Sequence, residues 1–422
     1  MSRASWLSLV LTSGIRSMAL KRKRIAFITL QDPRSRLSWS GIYSFMGAAL
    51  QKHCGDVDYL GPAEPEAAYG FMSRLILLFI GVIDRISRRL LRKTYNYKHS
   101  IIKSLALAKF FEARLSERDY DLIIAPSADD CVAFLNTEIP IISLNGATFA
   151  SLYNYYPCFS HFVNAWEGHA IGRSVVQKSS ALIFASDWAA NSALDIYRAS
   201  SDKVFVIPWG ANLDDIPSKE TVFSRKKSNR CRLLFLGVNW ERKGGALAFH
   251  TLLQLEEMGL AAELIVCGCI PPEKFKHERM TVIPFLDKSN DLQFEELNRF
   301  FLQADFLFLP TRAECFGIVF CEASAYGLPV ISTQTGGTSG AVRDGENGYL
   351  LPLSATAEDY AKLIYEIYQD DQRYDALVKT SRRAYEERLN WDAFAIALHD
   401  VISRVSPSEA DPVVPEVTMS RR

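Results

Sequence analysis

The sequence predicts an α/β protein built from two doubly wound domains. Three observations predict it. Short apolar runs recur along both halves, each followed by helical patterning, and that alternation places parallel strands under flanking helices. The runs are continuous rather than alternating, as strands buried on both faces require. A polar stretch, 209–228, separates the two series, and no internal repeat of fixed period is present.

In the first half, Ile25–Leu30 is the first strand, and a loop over Gln31–Ser40 leads through Gly41 into a helix over Ile42–His53. Leu75–Ile83 is nearly continuous apolar sequence, nine residues, too short to span a bilayer. Arg85, Arg88 and Arg92 recur at helical spacing, and eight Lys or Arg stand against one acid, Asp84, between 71 and 103. Segment 71–93 therefore reads as a basic amphipathic helix at a membrane interface, or as a helix packed on the core with its arginines in water. Asp121–Ala125 and Ile139–Leu144 are buried strands, and the second ends in Asn145-Gly146-Ala147-Thr148, where a cleft is expected. The aromatic run Phe149, Tyr153, Tyr155, Tyr156 and Phe159 either lines a sugar site by stacking or belongs to the core. His161 and His169 read as structural. Ala181–Ala185 leads to Ser186-Asp187-Trp188, a helix opening with serine as N-cap. Val204–Pro208 is the last strand of this half, and Trp209–Ser228 is a linker.

In the second half, Arg232–Gly237 is a strand that runs into Val238–Gly245. Strand, basic loop, glycines and helix make a place for diphosphate, because cations and helix N–H groups converge there. Solvated basic residues on a loop are the alternative. Glu263–Gly268 and Val282–Leu286 are strands, and Leu297–Ala304 is a helix. Phe306–Leu309 is a buried strand ended by Pro310, which cannot donate to the ladder. A loop with Arg312 and Glu314 follows, then a helix opened by Gly317 and closed by Gly327. Pro329–Thr333 is the next strand, with Gly336-Gly337 after it. Helices over Ala357–Tyr368, Tyr374–Arg388 and Trp391–Val405 finish the fold, and 406–422 reads as disordered.

Composition excludes several function classes. Of 422 residues, 48% are hydrophobic and 23% charged, which is ordinary for a globular protein. The 48 basic residues cancel the 48 acidic ones, so no basic field points to nucleic acid. The eight cysteines show no Cys-x-x-Cys and no zinc spacing, and read as free thiols in a reducing cytosol. Asp56-Val57-Asp58 and Asp119-Tyr120-Asp121 have an Asp-x-Asp form that can hold a metal, but each reads as an acidic pair before a strand. Residues 1–20 hold too short an apolar run for an export signal, so the effective start is read as Met18 or the tail as disordered. The glycines include no Gly-x-Gly, and no P-loop, His-Glu-x-x-His or Gly-x-Ser-x-Gly pattern occurs.

Two carboxylates stand out. Glu314 sits in the loop before a helix, and Glu322 lies within that helix among Val319, Phe320, Ala323 and Ala325. The N–H groups around Phe316, Gly317 and Ile318 lack helical partners, and with the helix dipole they attract phosphate. Carboxylates accept hydrogen bonds from vicinal hydroxyls. The combination suits a ligand with sugar hydroxyls at two places and phosphate between them, a nucleotide sugar. The plainer alternative is one capping glutamate and one glutamate on a helix surface.

At these residues the chain resembles the retaining glycosyltransferases of family 4. Their signature is glutamate, seven residues, glutamate, with Phe-Gly after the first; here Glu314-Cys315-Phe316-Gly317 leads to Glu322. The resemblance extends through Pro310–Gly317, Gly327–Ile331, Gly336-Gly337 and Asn347-Gly348. It implies a GT-B fold, two Rossmann-like domains facing a cleft, with the last helix crossing back to the first domain. The chain would divide into a tail (1–23), an acceptor domain (24–209), a linker (210–228), a donor domain (229–388), a crossover helix (389–405) and a second tail (406–422). The resemblance implies that Glu314 contacts the donor sugar and Glu322 the ribose. Lys243 and Arg242 would hold the donor phosphates, with Val238 standing where an arginine is usual. Phe316, Gly317 and Ile318 would complete the donor site, and Phe285–Lys288 would wall the base. Gly41 would face phosphates or acceptor, and Glu314 and Lys243 would carry the catalysis.

The expectation is a retaining, metal-independent glycosyltransferase that moves a sugar from a nucleotide sugar to a glycan or lipid-linked acceptor, in polysaccharide or glycolipid assembly. It needs no cofactor beyond the donor and no nucleic acid. Its place would be cytoplasmic, with 71–93 offering a contact to the inner membrane face. Two other readings stay open: a nucleotide-sugar epimerase, and a non-catalytic sugar-nucleotide binder.

Overall fold

The computed structural model describes residues 22–63, 99–156, 162–225, 227, 229–288 and 290–407, with scattered positions between 78 and 95. The expected N-terminal tail, much of segment 71–93, Phe159, His161 and the end of the C-terminal tail lie outside the described residues.

The continuous apolar runs form two parallel sheets. The first contains β1 (Lys23–Phe27), β2 (Gly55–Tyr59), β3 (Leu122–Pro126), β4 (Ile141–Asn145), β5 (Ala181–Phe184) and β6 (Val204–Val206). Its order is β2-β1-β3-β4-β5-β6. Every residue of β3 and β4 is buried, which accounts for their unbroken apolar character. The second sheet contains β7 (Cys231–Leu236), β8 (Ala262–Cys267), β9 (Met280–Ile283), β10 (Phe306–Leu309), β11 (Val330–Thr333) and β12 (Gly348–Leu351), in the order β12-β11-β10-β7-β8-β9. All pairings are parallel in both.

The helices connect and cover these strands. The first sheet carries α1 (Ile42–His53), α2 (Ile101–Leu115), α3 (Asp129–Val132), α4 (Phe149–Leu152), α5 (Phe162–Lys178) and α6 (Asp187–Asp195). On the chain between β6 and β7 lies α7 (Lys219–Phe223). The second sheet carries α8 (Gly245–Glu257), α9 (Asp291–Gln303), α10 (Ile318–Ala325), α11 (Thr338–Ala341), α12 (Ala357–Gln369) and α13 (Asp371–Glu387).

The last helix, α14 (Trp391–Val405), returns to the first domain. It packs on α1, where Asp392 meets His53 Nε2 at 2.6 Å and Lys52 Nζ at 2.8 Å, and the Cys54 thiol lies 3.4 Å from the Ala395 carbonyl. The chain crosses between domains twice, at 207–230 and 388–391, and the crossings touch: Ala211 N–H donates to the Leu389 carbonyl at 3.0 Å.

Four sequence expectations need correction. The supposed linker Trp209–Ser228 contains α7 and buries Trp209, Ala211, Leu213 and Val222, so its apolar residues belong to the core. Asp56 and Asp58 lie inside β2 rather than before a strand, held by Arg22 and by Arg118 and Tyr120. Ser186 precedes α6 as expected, but its Oγ makes no capping bond and is buried without a partner. Strand β9 stops at Ile283, short of Leu286, because Pro284 ends the ladder.

Candidate active-site cleft

Strand order places the site. In the second sheet the chain runs outward through β7, β8 and β9, then returns to the other side of β7 with β10. The order reverses between β7 and β10, and ligands of open parallel sheets collect beyond the carboxyl ends at such a reversal. The loops that leave those two strands carry Arg242 and Lys243, and Glu314. The first sheet reverses between β1 and β3, so the loop after β1, residues 28–41, stands at the matching point.

A cleft of about 650 Å³ opens there, walled by both domains. Arg242, Lys243, Glu314, Phe316, Gly317 and Ile318 line it, as does Glu322. The two glutamates that the sequence singles out thus share one cleft. Lys243 Nζ pairs with Glu314 Oε2, and Arg242 Nη1 reaches the same oxygen at 3.3 Å and the Ala313 carbonyl at 2.9 Å. Burial by itself pushes the Glu314 carboxyl up, but the Lys243 and Arg242 charges outweigh it and hold the group below its ordinary value. The two loops are bonded together, since the Arg242 carbonyl accepts from Arg312 N–H at 2.7 Å and from Thr311 Oγ1 at 3.1 Å.

Glu322 lies at another part of the cleft wall, 2% exposed, with Lys288 Nζ 2.6 Å from its Oε1. Lys288 comes from the loop after β9, and Phe285, Leu286 and Asp287 line the cleft beside it. Between the carboxylates, α10 begins. Gly317 has φ +91, and a Cβ there would sit 2.4 Å from the Phe320 ring, so only glycine makes this turn comfortably. Among the described residues no hydrogen bond takes up the N–H groups of Phe316, Gly317 or Ile318, which leaves three donors at a helix start.

Gly41 does not line the cleft; Ser40 and Ile42 on either side of it do. Its φ of +87 completes a turn in which Trp39 and Ser40 also take left-handed backbone angles. Gly41 shapes the loop, and its neighbours face the cleft. Asn212 holds that turn, donating Nδ2–H to the Ser40 carbonyl at 2.7 Å while its Oδ1 accepts from Trp391 Nε1 at 2.9 Å. The aromatic run divides. Tyr156 lines the cleft, Tyr155 crosses to the second domain, and Phe149 and Tyr153 group with His169 instead. Val238 is 70% exposed in the cleft, while Arg242 supplies the guanidinium.

Sequence reasoning missed Arg36, Trp39 and Trp209 as cleft residues, and the pairing of Lys288 with Glu322. No local pattern marks them, because each comes from a loop far along the chain. Trp209 contacts both Trp39 and Phe316, with ring centroids 5.0 and 5.4 Å away, so it joins the two walls. Among the described residues no group of three or more His, Cys, Asp or Glu side chains is arranged to hold a metal, and none of the described cysteines is paired.

Residues 218–384 match the family described as Glycosyl transferases group 1. That match takes in 167 of the 422 residues. The matched stretch spans the second sheet and the second-domain wall of the cleft. A D-inositol 3-phosphate glycosyltransferase of Xylanimonas cellulosilytica is 27% identical over 268 residues, covering 57% of this chain and 61% of the relative. The same-named protein of Corynebacterium jeikeium is 25% identical over 253 residues, covering 56% of this chain and 60% of its own. The matched stretch therefore spans about three fifths of these curated relatives. Among solved structures, sucrose-phosphate synthase of Thermosynechococcus elongatus superposes with a TM-score of 0.63 at 18% identity, covering 91% of this chain and 99% of that one. HepE of Anabaena, solved with UDP and glucose, gives 0.60 at 15% identity, covering 90% and 100%. The fold is the two-domain GT-B arrangement.

Proposed function

We propose that this protein is a retaining glycosyltransferase that moves a sugar from a nucleotide-sugar donor to a glycan or lipid-linked acceptor. One observation carries the reading: in a single cleft, the carboxylate of Glu314 is held by Lys243 and Arg242 beside the unpaired N–H groups that open α10. A sugar–diphosphate bond breaks when negative charge builds on the departing phosphate. Lys243, Arg242 and the amide donors are positioned to meet that charge, so no step calls for a metal. Glu314 accepts hydrogen bonds from the sugar hydroxyls, and Glu322 with Lys288 recognises the ribose end. The match to the group 1 family over 218–384 and the UDP and UDP-glucose complexes among the structural neighbours support a nucleotide sugar as donor.

Retention with no evident nucleophile points to attack on the face that the diphosphate leaves, the leaving phosphate taking the acceptor proton. The acceptor side is the first-domain wall with Trp39 and Tyr156. A lipid-linked acceptor, in polysaccharide or glycolipid assembly, is supported by the segment before α2, where Leu78, Phe79, Val82 and Ile86 are half exposed or more beside exposed Arg85, Arg88 and Arg89. Among the described residues no helix is long and apolar enough to cross a membrane.

Release of nucleoside diphosphate from a panel of donors, with and without acceptor lipid extract, tests the proposal. Acceptor-dependent release from one donor is expected. Turnover of the donor to an isomer without acceptor would replace this reading with the epimerase. No turnover with any donor, or wild-type rates in Lys243→Ala, would overturn it.

A further inference from the structure

A first-domain loop reaches into the donor-side wall. After α4 the chain passes Tyr153–Tyr156, and the Tyr155 ring lies against Trp188 with centroids 5.2 Å apart. Its phenol crosses to the second domain. There the oxygen accepts the backbone N–H of Glu314 at 2.9 Å and lies 3.0 Å from Thr335 Oγ1. The Glu314 carbonyl accepts from Gly337 N–H at 3.0 Å. The Tyr155 hydroxyl also lies 3.4 Å from that carbonyl, so both backbone polar groups of Glu314 are tied, each in part by the other domain.

The Gly336-Gly337 pair explains how the phenol fits. A Cβ on Gly336 would stand 2.4 Å from the Tyr155 oxygen and 2.1 Å from the Glu314 carbonyl. On Gly337 it would stand 2.5 Å from Ser186 Oγ, another first-domain atom, and 1.9 Å from the Cys315 carbonyl. The two glycines form a notch that admits first-domain side chains against the loop bearing Glu314.

We propose that Tyr155 is a positioning residue: its phenol fixes the backbone of Glu314, so that the carboxylate meets the donor sugar in working geometry only while the first domain is docked. The inference rests on the reading of Glu314 as the sugar contact. A loop carboxylate with an untethered amide keeps several orientations, whereas one anchored at N–H and C=O retains only its side-chain torsions. The domain that brings the acceptor thereby completes the donor site. A donor held in an undocked cleft is bound but not oriented, which suppresses loss of its sugar to water.

Tyr155→Phe keeps the ring against Trp188 and deletes only the oxygen. Hydrogen exchange of the peptide containing Glu314 is measured first. The Glu314 amide is expected to exchange about tenfold faster in Tyr155→Phe, with the amides of β10 unchanged. Thr335→Val, which removes the phenol's side-chain partner, should give a smaller increase. An unchanged Glu314 amide in both variants would overturn the clasp. Titration with UDP and GDP comes second. Affinity for whichever diphosphate binds should stay within about twofold, while turnover with the active donor falls about 10- to 100-fold. Wild-type turnover together with faster exchange would reduce Tyr155 to a packing contact and overturn the positioning role. If the wild type turns over no donor, the transferase reading falls instead, and the exchange measurement alone decides the clasp.

Discussion

The two walls of the cleft work by different physics. The second-domain wall is built of charge: two buried or half-buried carboxylates, each met by cations, flank a row of open amide donors. The first-domain wall is built of rings and shape, with Trp39, Tyr156 and Trp209 drawn from three separate loops and one turn held by Asn212. The charged wall is nearly complete within a single strand–loop–helix unit and the loop beside it. The aromatic wall exists only after three loops have met. On the proposed function, the charged wall would meet the donor's diphosphate and the aromatic wall a less strictly specified hydroxyl acceptor.

Predictions that break or sharpen this contrast begin with the charged wall. Lys243→Ala removes a cation paired with Glu314, the one that the proposed reaction turns toward the departing phosphate. Its turnover, read as diphosphate release, should fall about 100- to 1000-fold. Retained turnover would mean that the charged wall is not where bonds change. Glu322→Ala should weaken UDP or GDP binding in calorimetry by about 10- to 100-fold, the loss of charge-assisted hydrogen bonds. The change is confined to recognition, so turnover at saturating donor should fall far less than affinity.

The aromatic wall should respond in the opposite sense. Asn212→Ala leaves Trp391 Nε1 without its partner and releases the Ser40 carbonyl. A stability loss of about 1–3 kcal/mol is expected in urea unfolding, with diphosphate affinity nearly unchanged. A large change in diphosphate affinity would show the walls to be coupled more tightly than the geometry indicates.

A smaller effect contrasts the two ends of β10. Beyond its carboxyl end, Glu314 is held below its ordinary value by cations, so its contribution to stability is present above about pH 4.5 and lost as pH falls. Before its amino end, Asp305 is raised from 3.8 to about 6, chiefly by burial, against the pull of Arg232 N–H and nearby arginines. The folded state binds that proton more tightly than the unfolded chain. Stability from Asp305 therefore falls as pH rises from about 4 to about 6 and is level above. Asp305→Asn should remove about 1–2 kcal/mol of that decline, measured as unfolding free energy against pH. An identical pH profile in the variant would assign the buried charge elsewhere.

Much of the fold was readable because its signals are local. Phe306–Leu309 and Trp391–Val405 appear with the bounds their patterns suggest. Strands shifted by a residue or more where a proline or a hydrogen-bonded neighbour set the end, as at Pro284. α2 and α5 escaped notice: in α2 the buried positions include Ser104, Ala106 and Ala108, and α5 mixes glycines with polar residues, so neither shows a clean apolar stripe. Of the site, the residues of the charged wall were legible because helix starts, glycines and carboxylates report their chemistry at short range. Gly41 was legible only as a backbone need, since a glycine says nothing of which neighbour faces the cleft.

From its order of residues alone, this chain determined two wound sheets and a strand–loop–helix unit with two carboxylates eight positions apart, because hydrogen-bonding period and helix capping act over a few residues. The tertiary structure alone decided that Lys288 meets Glu322, that Trp39 and Trp209 close the cleft, and that Tyr155 of one domain holds the backbone of Glu314 in the other. Those contacts join residues 34 to 159 or more positions apart. No local rule carries such a pairing; it follows from how two sheets, each packed on its own core, come to face one another.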